Sequence, residues 1–223
     1  MSRSLNEDQY GIIAEFKRKS PSKGWIKEDG QPDVIPPAYA WNGAAALSIL
    51  TDSQYFGGSL DFLKKARPLV DKPILRKDFV VDEYQLFEAR LAGADAVLLI
   101  AADLKLQEAR ALASMAHELG LEVLMDLHSE DELDYASLDV DMVGVNNRDL
   151  GTFHTDVQNS FHLSASLPQD RVLVSESGLG NPQTVMLLRQ AGFRGFLMGE
   201  HFMKADDPGM ELARFISGIG NTL

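Results

Sequence analysis

The feature that most restricts what this chain can fold into is an alternation of short apolar runs with longer segments carrying a helical apolar stripe. The runs are residues 11–16, 45–50, 73–76, 95–100, 121–127, 142–146, 171–175 and 195–198. Most are continuous, as in Ala96-Val97-Leu98-Leu99-Ile100, which is the pattern of parallel strands covered on both faces. Helical segments are expected over 59–69, 82–92, 104–119, 129–136, 182–190 and 208–218. Gly120 and Gly192 follow two of them, where a left-handed cap ends a helix. Pro36 and Pro37 suit the first turn of another helix, running through 38–42 and ending at Gly43. Residues 150–167 read as loop and a short helix.

Eight strand–helix units in 223 residues predict an α/β fold of the (β/α)8 TIM-barrel type. A doubly wound open sheet alternates in the same way, and periodicity does not separate the two. The chain shows no linker or low-complexity run, so a single barrel domain over residues 1–223 is expected.

Composition narrows the function. The net charge of −12 argues against nonspecific nucleic-acid binding, which needs a broad basic surface. No apolar run is long enough to cross a bilayer, and residues 1–10 lack the apolar stretch of a signal peptide. With no cysteine there is no disulfide, thiolate metal site or thiol nucleophile. These features fit a cytoplasmic protein. Against the acidic background, Lys17, Arg18, Lys19, Lys23 and Lys27 crowd together, either as a solvated basic loop or as a funnel for an anionic small molecule.

Polar residues end nearly every run: Glu15 and Lys17, Thr51 and Asp52, Lys77 and Asp78, Asp126 and His128, Asn146 to Arg148, Glu176 and Ser177. In a barrel those ends meet at one rim, where such folds hold their active sites. Ser175-Glu176-Ser177-Gly178 after the seventh run and Gly199-Glu200 after the eighth occupy the common barrel phosphate position, which points to a phosphorylated ligand.

The segment Ile12-Ile13-Ala14-Glu15-Phe16-Lys17-Arg18-Lys19-Ser20-Pro21-Ser22-Lys23-Gly24 resembles the first-strand signature of the indole-3-glycerol-phosphate synthase family of tryptophan biosynthesis. Further motifs keep that family's order: Leu47 to Asp52, Tyr55 to Ser59, Pro73 to Phe79, Val145 to Leu150, Ser175 to Gly178 and Leu197 to Glu200. The resemblance implies conversion of 1-(2-carboxyphenylamino)-1-deoxyribulose 5-phosphate to indole-3-glycerol phosphate, with loss of carbon dioxide and water. It implies no metal and no organic cofactor. Its partners would be the small phosphorylated substrate and other tryptophan-pathway enzymes, not nucleic acid or membrane.

Residue by residue, the resemblance makes Lys77 the general acid toward the substrate ketone and gives Lys17 the substrate's anionic groups. Glu15 would hold and polarise the lysines. Glu176 and Asn146 would bind the sugar hydroxyl that becomes the leaving group. Arg148 would steady the rim, and Ser20, Ser177, Gly178, Gly199 and Glu200 would bind substrate or phosphate. Phe56, Phe79 and Leu99 would sandwich the aromatic ring. The chemistry independently calls for a protonated lysine tuned by neighbours and an apolar slot that holds ring against ketone.

Two departures stand out. Asp126 occupies a position where the family usually has a glutamate acting as the base in dehydration, and it is one carbon shorter; Asp52 likewise replaces a common glutamate, in a structural role. Before the first strand the family carries a longer helical segment over the mouth, so a more open mouth and weaker substrate binding are expected. Two alternatives therefore remain beside synthase activity: a catalytically weak or inactive barrel that binds a phosphorylated ligand, and a related phosphosugar barrel isomerase. The isomerase chemistry wants a Cys–Asp pair that this chain lacks. His117, His154 and His162 have no metal-like spacing partner, His128 and His201 fall off the family motif, and Trp25 and Trp41 read as packing residues.

Overall fold

Each continuous apolar run forms a strand, and each strand pairs in parallel with both neighbours until the last returns to the first. The structure, a computed structural model, describes residues 1–149 and 151–220. The barrel strands are β1 (Ile12–Phe16), β2 (Ala46–Leu50), β3 (Ile74–Lys77), β4 (Ala96–Ile100), β5 (Glu122–Leu127), β6 (Met142–Asn146), β7 (Val172–Glu176) and β8 (Gly195–Met198). Ile13 pairs with Leu197 of β8 on one side and Ala46 of β2 on the other, so the sheet is closed and a doubly wound open sheet is excluded.

The helices are α1 (Ser2–Glu7), α2 (Ile35–Trp41), α3 (Leu60–Ala66), α4 (Glu83–Ala92), α5 (Leu106–Glu118), α6 (Leu133–Ala136), α7 (Gln158–Ser164), α8 (Pro182–Gln190), α9 (Glu200–Met203) and α10 (Pro208–Gly220). Local chemistry sets several boundaries. Asp82 caps α4 by accepting from Tyr84 N at 2.8 Å, while Gln85 reaches back to the Asp82 N–H at 3.0 Å, a reciprocal box. Asn181 caps α8, with Pro182 in its first turn. The helix expected to 69 leaves α geometry at Ala66 and tightens into a 3-10 turn, because Pro68 offers no N–H to continue it. Leu150 of the expected 150–167 loop lies outside the described residues; α7 is the short helix within that span.

Strand periodicity divides the core in two. Ile13, Ala46, Leu75, Leu98, Leu124, Met142, Val174 and Leu197 point into the barrel. Their neighbours Ile12, Leu47, Ile74, Val97, Val123, Val143 and Leu173 point outward and pack under the helices. The inner layer is closed at the N-terminal end by α1, which the polar opening residues did not announce. Leu5 is fully buried in the inner cluster, the amino group of Met1 pairs with Glu122, and Ser4 Oγ donates to Ala45 O at 2.7 Å. Asp8 then accepts from Tyr10 N and Gly11 N at 2.8 and 2.7 Å. Gly11 turns into β1 with φ +69°, where a Cβ would lie 1.9 Å from Arg194 O. Among the described residues no helix is long and apolar enough to cross a membrane.

Leu5→Ala is expected to cost about 2–5 kcal/mol of stability in urea titrations, with turnover unchanged because α1 lies at the end opposite the mouth. A midpoint equal to the parent's would contradict this role for α1.

Candidate active site

The residues that point inward along each strand become charged at the C-terminal end of the barrel. Glu15 and Lys17 come from β1 and its extension, Lys77 from β3, Asp126 from β5, Asn146 from β6 and Glu176 from β7; all line one cavity of about 550 Å³. That size suits a small organic ligand. Alternation decides which of two adjacent cations enters: Lys77 faces the cavity, whereas Arg76 is held outside it by Asp78 at 3.0 Å and Glu88 at 3.3 Å.

The cavity is organised by two buried ion pairs. Lys17 contacts Glu15 at 2.6 Å, and Lys77 is paired with Glu176. Burial works against the charge on Lys77, but Glu176, then Glu15 and Asp126, outweigh it and raise its pKa above the ordinary lysine value. Lys77 is therefore an ammonium ion at neutral pH. Glu15 also resists burial: Lys17, Lys77 and Arg148 hold its carboxyl below the usual range. Asp126 goes the other way. Burial and the neighbouring Glu176 push it up to about 7, against the pull of His128, Lys77 and Asn146. Asp126 Oδ1 and Glu176 Oε1 are buried without a protein hydrogen bond, an arrangement rare for carboxylate oxygens outside functional sites.

Two glycines make this crowding feasible. A Cβ at Gly144 would lie 2.7 Å from Glu176 Oε1, and one at Gly199 would lie 2.5 Å from Glu15 Oε1. Sequence reasoning missed Gly144; its inward register between Met142 and Asn146 was the available signal. Asn146 links the layer to the rim: its Nδ2 donates to Asp126 at 3.3 Å, and its Oδ1 accepts from Ser177 Oγ at 2.9 Å and Arg148 N at 3.1 Å.

Ser177 and Gly178 both have positive φ, 68° and 73°, in the loop after β7. For serine that backbone is strained, and it is held by Asn146 and by Asn147, whose Nδ2 donates to Ser177 O at 3.1 Å. Gly199 precedes α9, a short helix not foreseen from sequence, and Arg148 crosses the rim to Glu200 at 3.4 Å. Ser177, Gly178, Gly199 and Glu200 all border the cavity. So does Lys204, another residue not singled out from sequence.

On the opposite wall the rings of Phe56 and Phe79 lie 6.2 Å apart and tilted by 35°, and Leu50, Leu98 and Ile100 extend the apolar surface. Asp52 supports that wall by accepting from Tyr55 N at 2.7 Å and Phe56 N at 3.2 Å. Two expectations need correction. Leu99 does not face the cavity: it points outward under the helices, and the period of two gives Leu98 and Ile100 its expected place. Ser20 is fully buried in a two-residue hairpin strand, Lys19–Ser20 against Gly24–Trp25, and borders the cavity only through its neighbours Pro21 and Ser22.

The basic cluster divides in the same way. Lys17 and Lys23 line the cavity, whereas Lys27 donates to Ala205 O at 2.9 Å and Arg18 lies 5.4 Å over the Trp25 ring. Trp41, expected to pack, is 90% exposed.

A closed barrel with a half-charged, half-apolar pocket and glycine-containing loops after its last two strands defines a (β/α)8 enzyme built for a small anionic substrate with an aromatic part. Solved structures of that fold agree in shape. A thiamine phosphate pyrophosphorylase from Pyrococcus furiosus superposes with a TM-score of 0.71 at 15% identity, covering 97% of this chain and 98% of that one. A mutant tryptophan synthase alpha-subunit from the same organism gives 0.69 at 13% identity, covering 96% and 99%. The family profile described as indole-3-glycerol phosphate synthase matches residues 2–215. A protein of that name from Bacteroides thetaiotaomicron is 60% identical over 219 residues, covering 98% of this chain and 84% of the relative. One from Bordetella pertussis is 45% identical over 214 residues, covering 96% and 82%. The chain belongs to the indole-3-glycerol phosphate synthase family.

Two outcomes follow from the packing. Gly144→Ala is expected to displace the Glu176 carboxylate and lower turnover on the order of 10²-fold without loss of fold by circular dichroism; parent-like turnover would contradict the close approach. Asp126→Asn is expected to stabilise the protein at pH 8. Because folding raises the aspartate pKa, the folded state binds the proton more tightly, and ionisation costs stability increasingly as pH rises from about 4, the unfolded value, to about 7. The difference between variant and parent in chemical denaturation should therefore shrink toward pH 4. A variant less stable than the parent at pH 8 would contradict it.

Proposed function

We propose that this chain, as a single barrel domain, closes the indole ring of 1-(2-carboxyphenylamino)-1-deoxyribulose 5-phosphate to give indole-3-glycerol phosphate, carbon dioxide and water. The observation that carries the residue-level reading is Lys77: a largely buried ammonium, paired with Glu176, in a cavity that also holds the Phe56 and Phe79 rings and two phosphate-type loops. The loops at Ser177–Gly178 and Gly199–Glu200 would take the phosphate through backbone N–H groups, assisted by Lys17, Lys23 and Arg148. Phe56 and Phe79, with Leu98 and Ile100, would grip the aromatic ring. Anchoring both ends brings the ring carbon that bears the carboxylate against the ketone carbon.

That ring carbon attacks the ketone, a carbon–carbon bond forms, and the carbonyl electrons move to oxygen. The developing alkoxide is far more basic than a ketone, so it can draw a proton from Lys77 even though Glu176 and Glu15 stabilise the ammonium. Carbon dioxide leaves from the same ring carbon, its bonding electrons restoring aromaticity. The new hydroxyl, bound by Glu176 and Asn146, then leaves as water as an acid protonates it. Asp126, half-ionised near neutral pH, takes the proton released as the second ring double bond forms. Lys77 or Lys17, both lining the cavity at the ends of β3 and β1, would supply the acid.

Bacterial biosynthetic relatives support a cytoplasmic location, and hand-over between enzymes of tryptophan biosynthesis goes with the same reading.

The test is indole fluorescence after adding the carboxyphenylamino-deoxyribulose phosphate to parent and Lys77→Ala. Product formation lowered about 10²–10⁴-fold in the variant is expected for loss of a general acid. Saturable binding with no product from the parent would instead mark a ligand-binding barrel without the activity.

A further inference from the structure

His128 does not line the cavity, yet it stands directly behind Asp126, a buried cavity carboxylate that has no lysine within ion-pair distance among the described residues. It follows Asp126 by two residues, so it leaves the end of β5 on the same side. Its Nε2 lies 3.7 Å from Asp126 Oδ2, and its Nδ1 lies 3.7 Å from Glu132 Oε2 in the 3-10 turn after β5. Both ring nitrogens are buried, and neither makes a hydrogen bond. The frame around the ring is well tied. Glu132 accepts the His128 N–H at 2.6 Å, and Asn159 donates both to His128 O at 3.0 Å and to Asn146 O at 3.1 Å.

A buried imidazole with two unbonded nitrogens, each facing a carboxylate, is badly placed as a neutral packing group and well placed as a cation. We propose that His128 is a positioning residue for Asp126: as an imidazolium clamped between Asp126 and Glu132, it favours the ionised form of the Asp126 carboxylate and fixes its direction. This rests on Asp126 serving as the base in dehydration.

The charges that bear on the pair come from every side. Lys77 on β3 and Glu176 on β7 face Asp126, with the neutral amide of Asn146 on β6. Around His128 stand Asp126, Glu132 and Glu176, and Asp149 in the loop after β6 feels its charge. Burial disfavours the imidazolium, but the Glu132, Asp126 and Glu176 carboxylates outweigh it and raise the His128 pKa above its ordinary value. Ring and carboxylate thus each favour the charged form of the other. The arrangement also answers the shorter arm of aspartate: a cation behind the carboxylate fixes the direction of a side chain with less reach.

The experiment is the pH dependence of kcat for the parent, His128→Gln, Glu132→Gln and Asp126→Asn. In the parent, kcat should rise with pH as Asp126 loses its proton. Removing a cation within about 4–6 Å of a carboxylate raises the carboxylate pKa by about 1–3 units. The acidic limb in His128→Gln should therefore move to higher pH by about that amount, with the high-pH plateau recovering to within a few-fold of the parent. Glu132→Gln, which weakens the imidazolium from behind, should move the limb the same way by less, and it serves as the readout if the histidine variant does not fold. A uniform loss at all pH values, or an unmoved limb, would overturn the proposal, since a packing role lowers activity without displacing the limb. Asp126→Asn separates the two claims. If it abolishes the limb and turnover while His128→Gln leaves the limb in place, only the histidine role fails. If Asp126→Asn keeps the parent's profile, the base assignment fails and the histidine role falls with it.

Discussion

Closure of the barrel forces three carboxylates and two ammonium groups into one buried layer, and the rest of the site is arranged around that imbalance. Glu15 is matched by Lys17, and Glu176 by Lys77. Asp126 is left facing Glu176 without a lysine of its own, and burial together with that neighbour raises its pKa. Buried charges are tolerated only when paired or hydrogen-bonded, so the surplus must be met by weaker means. These are the Asn146 amide, at hydrogen-bond distance, and the His128 ring behind it. The same tension gives each group its chemistry: a lysine kept protonated, and an aspartate able to exchange a proton near neutral pH.

The scaffold around this layer supplies room and direction. Gly144 and Gly199 leave the space that the Glu176 and Glu15 side chains occupy, so two glycines inside the barrel serve the charge layer rather than backbone flexibility. Beyond it, Asn147, Ser160 and Ser175 form a buried polar cluster: Ser160 Oγ donates to Asn147 Oδ1 at 2.8 Å and Asn147 Nδ2 to Ser175 Oγ at 3.1 Å. That cluster ties the β6 loop to β7 and holds the strained Ser177 turn. Rigid strands thus set the charges while hydrogen-bonded loops set the anion-binding turns, a division that suits a reaction depending on positioning.

Much of this was legible in the sequence, for identifiable reasons. The strands were readable because burial on both faces demands uninterrupted apolar runs, and the charged residues ending those runs marked the rim. Helix ends were readable where a cap or proline dictated them, as at Asp82 and Pro182. Three kinds of feature were not. α1 carries a single core residue, Leu5, too little for a periodic signal, and its worth comes from filling a hole that exists only once the barrel closes. Leu99 was misassigned because a continuous apolar run hides which alternate residues face inward; the register from Asp126 or Lys77 is needed to see that Leu98 and Ile100 do. His128 looked like a rim residue off any motif, since its meaning lies in Glu132, one turn onward, and in the lack of a lysine for Asp126.

The surplus charge of the buried layer settles on Asp126. Carbon-13 NMR of the aspartate side-chain carboxyls across the pH range tests it most directly, with Asp126→Asn to assign the signal. One aspartate carboxyl is expected to titrate near pH 7 and to be missing from the variant. If every aspartate carboxyl titrates below about pH 5, as ordinary aspartates do, Asp126 carries no surplus and the electrostatic account of the site is wrong.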